Sequence, residues 1–156
     1  MKKLLGIVVL GLLISGNVYA KNPFLKGLDT FQFSVPEIDK CYVKTNDIET
    51  SAKYISLNSG IKLIDMKSSW DEILQITVMI QDIKDTSPAI CIGYLKIEAG
   101  RFVDAKNTKG YGAPAPALFY DEAMMFGGLR DQFKNKLISN LEKMMKDFII
   151  ELKESQ

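Results

Sequence analysis

One stretch limits what this chain can fold into more than any other: the apolar stripe in its last quarter. Leu129, Phe133, Leu137, Leu141, Met144, Phe148 and Leu152 recur in steps of three or four, close to the ~3.6 residues of a helical turn. Ile138, Met145 and Ile149 widen that line into a face, while Glu142, Lys143 and Lys146 mark the opposite side. Glu142 precedes Lys146 by four residues, the order that supports a helix. A helix of this kind has to lay its stripe on something. The receiver is the β-rich region before it.

Phe31, Phe33 and Val35 alternate with Gln32 and Ser34, a strand pattern that Pro36 ends. Cys41 and Val43 alternate with Tyr42 and Lys44 and read as a second short strand. Asn46 to Ser51 is polar, a turn or short helix. Tyr54–Leu57 and Ile61–Ile64 flank Asn58-Ser59-Gly60, which reads as a hairpin with glycine in its left-handed position. Trp70 lies in a polar connection and suits the core edge. Leu74, Ile76, Val78 and Ile80 form the clearest strand, with Gln75, Thr77, Met79 and Gln81 on its other face. Asp85–Pro88 is a turn. Ala89–Ile97 reads as a central strand, and Ala99-Gly100 as a tight turn into Arg101–Val103. Asn107–Pro116 reads as a loop. A short helix with Asp121 as N-cap fits Leu118–Phe126, with a kink or break at Gly127-Gly128.

The expected fold is α+β: an antiparallel β-sheet meander, roughly five to seven strands, with a long C-terminal amphipathic helix packed on one face. This layout resembles helix-grip and cystatin-like domains, and the resemblance implies an apolar groove between helix and sheet.

Residues 1–20 read as a signal peptide, leaving 21–156 as a single α+β domain. Lys2 and Lys3 supply the charged start, Leu4–Ile14 the apolar run, and Val18-Tyr19-Ala20 the cleavage site. The pattern resembles a bacterial signal for the general secretory route. The apolar run falls short of the ~20 residues a bilayer span needs, so no stable membrane anchor is expected. The implied location is the periplasm or the external medium.

Composition excludes several chemistries. The chain has no histidine, which removes Ser-His-Asp and Cys-His catalysis and the common zinc sites. Without Lys2 and Lys3, eighteen basic residues face nineteen acidic ones. Arg101 and Arg130 are the two arginines, so no nucleic-acid footprint is expected. No cofactor, metal site or catalytic residue is indicated. The two cysteines, Cys41 and Cys91, are expected to join as a disulfide in an exported chain.

The candidate ligand-binding residues are Tyr111, Phe119, Tyr120, Met124, Phe126 and Arg130. The aromatic and methionine side chains offer an adaptable apolar surface beside a glycine hinge. Arg130 falls on the apolar side of the long helix, where it could hold a carboxylate or reach to solvent. The expected function is that of a small exported binding protein, non-enzymatic, for a protein partner or an apolar small molecule. Two alternatives stand beside it. One is a hydrolase using carboxylate or Ser-Lys chemistry. The other is a structural or assembly accessory protein that forms a homodimer through the C-terminal helix.

Overall fold

The computed structural model describes residues 27–66, 72–85, 88–106 and 112–156, with side chains described outside 102–116. The leader, Trp70, Tyr111 and most of the Asn107–Gly112 turn lie outside the described residues. The elements are β1 (Thr30–Ser34), β2 (Asp39–Lys40), β3 (Val43–Lys44), α1 (Thr45–Asn58), β4 (Lys62–Asp65), β5 (Ile73–Ile83), β6 (Ile90–Lys106), β7 (Gly112–Leu129) and α2 (Arg130–Glu154).

Five strands form one sheet in the order β4-β1-β5-β6-β7, and β2 and β3 form a separate hairpin. β5, β6 and β7 are antiparallel neighbours, whereas β1 runs parallel to both β4 and β5. The sheet is therefore mixed. Parallel pairing requires a crossover, and the β2–β3 hairpin with α1 provides it between β1 and β4.

α2 covers one face as its periodicity demands. Phe133, Leu137, Leu141, Met144, Met145, Phe148, Ile149 and Leu152 are buried. They meet Leu74, Ile76, Val78 and Ile80 of β5 and Leu95 and Ile97 of β6 in one core. Phe148 sits edge-on to Phe31 and Tyr120, with ring centroids at 5.5 and 5.0 Å. Phe126 stacks on Phe133 at 5.2 Å. No helix of the described residues is long and apolar enough to cross a membrane.

Five local expectations are overturned, the first being the loop over Asn107–Pro116, of which Gly112–Pro116 is strand in β7. Tyr54–Leu57 is helix, not a hairpin strand: Ile48, Ala52, Ile55 and Ser56 of α1 turn inward, while Tyr54 and Leu57 are exposed. Gly60, at φ +79°, ends this helix. Ile61 N–H donates to Ser56 O (2.9 Å) and Gly60 N–H to Leu57 O (3.1 Å), a Schellman closure. Cys41 and Tyr42 are not strand residues but the two turn residues of the β2–β3 hairpin, at φ 52° and 62°. Such a turn matches the strand twist and requires positive φ at both positions.

Ala99-Gly100 is not a turn but part of one continuous strand, and it lies opposite a β-bulge at Phe119 of β7. A Cβ on Gly100 would lie 2.7 Å from the Ala117 carbonyl oxygen, so glycine is needed where the strands approach. Finally, Leu118–Phe126 is not helical and Asp121 caps nothing. The stretch belongs to β7, which pairs with β6 from Gly112 to Leu129, Gly127 and Gly128 included.

The two helices are joined by Lys134, whose ammonium donates to the Asp47 carboxylate at 2.7 Å. Asp47 also accepts the Lys44 N–H at 2.9 Å. Burial pushes the Asp47 carboxyl up, but the Lys134 and Lys44 contacts outweigh it and hold it below the usual value. A depressed carboxyl contributes stability above its unfolded pKa, ~3.9, and loses it as pH falls through the folded value. Asp47→Asn should therefore shrink the stability difference between neutral pH and pH ~3, as read by urea unfolding. An unchanged difference would remove Asp47 from the acid response.

Candidate binding surface

The helix side of the sheet receives most of the candidate ligand-binding residues. Tyr120 is in the core, and Phe119, Met124 and Phe126 are partly buried against it. The Tyr120 hydroxyl donates to Glu122 and, at 3.4 Å, to the Met144 carbonyl. Burial and Glu122 push this phenol far above its usual pKa, so it stays protonated. The space in which a groove is expected is occupied by Phe133, Leu137, Leu141, Met144 and Phe148, all fully buried.

Arg130 stands apart from these four. As the first residue of α2 it donates to the Asp82 carboxylate at the end of β5. It lines an open cleft of about 720 Å³ with Lys40, Tyr42, Lys44 and Lys84. The cleft wall is the β2–β3 hairpin, pinned by the Cys41–Cys91 disulfide, whose Cα atoms are 6.4 Å apart. Cys41, Asp82 and Cys91 come close enough to suggest a metal site. Both sulfurs are consumed by the disulfide and Asp82 by Arg130, so no ligand set remains there.

Among the described residues the other face of the sheet carries no helix. Strand alternation sends Gln75, Thr77, Met79 and Gln81 of β5 to this side. Register places Met79 beside Tyr94 and Tyr94 beside Met125. Met79 is 58% exposed, Met125 75%, and Ile92 in the adjoining row 37%. The result is an apolar band across three strands. Beside it, Lys96 binds Glu98 at 2.8 Å and Asp121 at 3.2 Å, so the flank is charged but locally compensated.

Sequence reasoning missed this band. One signal was available: Met79 is the apolar residue among Gln75, Thr77 and Gln81 on the polar side of β5. Tyr94 and Met125 join it only through register.

No protein-family model matches the chain. No curated protein matches it in sequence. Among solved structures it is similar to the crystal structure of a minor lipoprotein from Acinetobacter baumannii. The identity is 14% and the TM-score 0.36, over 80% of this chain and 90% of that one.

Proposed function

We propose that the chain is an exported, non-catalytic binding protein that takes a protein partner on the helix-free face of its sheet. The observation that carries this reading is the apolar band in which exposed Met79 and Met125 flank half-buried Tyr94. Exposed apolar surface in contiguous rows marks interaction sites. Methionine adapts to irregular partner surfaces, and tyrosine combines an apolar body with a polar tip. The compensated Lys96 flank favours a partner whose contact surface is apolar, not strongly charged. An apolar small molecule fits less well, because an open sheet face encloses nothing.

Export is supported by the leader and by the disulfide, a bond that persists in oxidising compartments. The exported protein should begin at Lys21, as intact mass would show. Full-length chain recovered from the membrane would mean an anchor.

The binding face is tested by a photoreactive side chain at position 79, expressed in the producing cell. A discrete adduct is expected there, and none when the group is placed at Lys53, exposed on α1. No adduct at position 79, or equal adducts at both, would overturn the reading.

A further inference from the structure

β7 ends the sheet, so among the described residues one of its edges has no neighbouring strand. Two bonds show which backbone groups point outward. Arg130 N–H donates to the Ala89 carbonyl at 3.0 Å, so even-numbered residues of this stretch turn toward β6. The Gly127 carbonyl instead accepts from Lys136 Nζ at 2.6 Å, away from β6. Asp121, Ala123 and Met125 therefore direct their N–H and C=O groups outward. These groups take no backbone partner among the described residues.

The open window has two ends. Lys136 closes it at Gly127. At the other end the bulge opposite Ala99 and Gly100 interrupts the register, and Pro116 and Pro114 beyond it have no N–H to offer. Ala123 is at the centre.

Charge is arranged along the same window. Glu122, Asp147 and Glu151 line a recess beside its first half. Lys136 stands over its second half. Lys143, exposed on α2, is one turn before Asp147 on the same side of the helix. Acidic groups thus gather at one end and Lys136 stands at the other, with Lys143 between them. A basic peptide would match only the first half. An antiparallel copy of the same edge matches both.

We propose that β7 pairs antiparallel with β7 of a second copy about a twofold axis at Ala123, joining two five-stranded sheets into one. Ala123 then exchanges hydrogen bonds with the partner's Ala123, and Asp121 with the partner's Met125. Ala123 places only a methyl group at the axis. α2 packs on both β6 and β7, so the two α2 helices would run antiparallel about 10 Å apart, the upper end of normal helix contact. Glu151 would meet the partner's Lys136, and the interface is isologous, as twofold symmetry requires. The helix-free face stays open in the dimer, so this inference stands apart from the proposed partner site.

Sedimentation of the oxidised protein decides it. Wild type should sediment as a dimer. Ala123→Pro should be monomeric and still unfold cooperatively, with a midpoint independent of protein concentration, because that N–H lies outside the β6 ladder and proline is tolerated at such edge positions. Lys136→Glu and Glu151→Lys should each weaken the dimer at least about tenfold, and the double variant should restore it. A wild type monomeric at every attainable concentration would overturn the proposal. So would a dimer that survives Ala123→Pro, or single-variant losses that the double variant fails to rescue. If Ala123→Pro does not fold, the charge-reversal set decides alone.

Discussion

Phe148→Ala should lower the unfolding free energy by ~3–5 kcal/mol. Phe148 is fully buried and joins α2 to two strands from opposite ends of the chain, with Phe31 on β1 and Tyr120 on β7 against its ring. Truncation removes apolar area from the core and leaves a cavity whose far walls are strands held in register by their own ladders. Such walls collapse poorly, which favours the upper part of the range. A domain of this size has ~5–15 kcal/mol in total, so the variant should be near the limit of folding at room temperature. Urea unfolding by circular dichroism measures it. A loss under ~1 kcal/mol would mean that α2 is not what covers the sheet.

Replacing both Cys41 and Cys91 by alanine should cost ~2–4 kcal/mol. The bridge spans a sequence separation of 50 residues, and a long closed loop constrains the unfolded chain strongly. A local effect adds to this. Cys41 and Tyr42 occupy left-handed backbone without being glycine, a conformation that costs roughly 1–2 kcal/mol per residue. The bridge ties this turn to β6, so without it the hairpin should open first. Guanidinium unfolding of the two proteins gives the global loss, and amide exchange across residues 39–44 gives the local one. Equal midpoints and equal exchange would show that the hairpin holds itself.

Legibility in the sequence followed the length and regularity of each pattern. α2 was readable because six apolar positions, Phe133 to Leu152, keep helical spacing over about five turns. β5 was readable because only one of its faces is apolar. α1 was hidden by two exposed apolar residues, Tyr54 and Leu57, and one buried polar one, Ser56, which together imitate a strand. Gly60 fits the end of a helix as well as a hairpin turn. β7 was hidden because Leu118 to Phe126 is apolar on both sides, and only pairing with β6 reveals it as a strand. The disulfide was inferable from export and an even count, but the turn that holds Cys41 was not. Of the candidate ligand-binding residues, Arg130 reached an open cleft, Phe119, Tyr120, Met124 and Phe126 lie on the helix side, and Tyr111 is outside the described residues. The exposed band combines side chains from three strands, and no local pattern reports such a combination.

The two faces of the sheet have opposite roles, and neighbouring residues of β5 test that directly. Val78 is 5% exposed under the helices and Met79 58% exposed on the other side. Val78→Thr puts a hydroxyl into the core and should cost ~1–3 kcal/mol. Met79→Thr keeps a good strand former at an open position and should stay within ~0.5 kcal/mol of wild type. Urea unfolding of the two variants side by side is the measurement. A large loss for Val78→Thr with none for Met79→Thr is the predicted result. A Met79→Thr variant destabilised as much as Val78→Thr would contradict the account, because that face would then be buried within the folded chain and could not serve a partner.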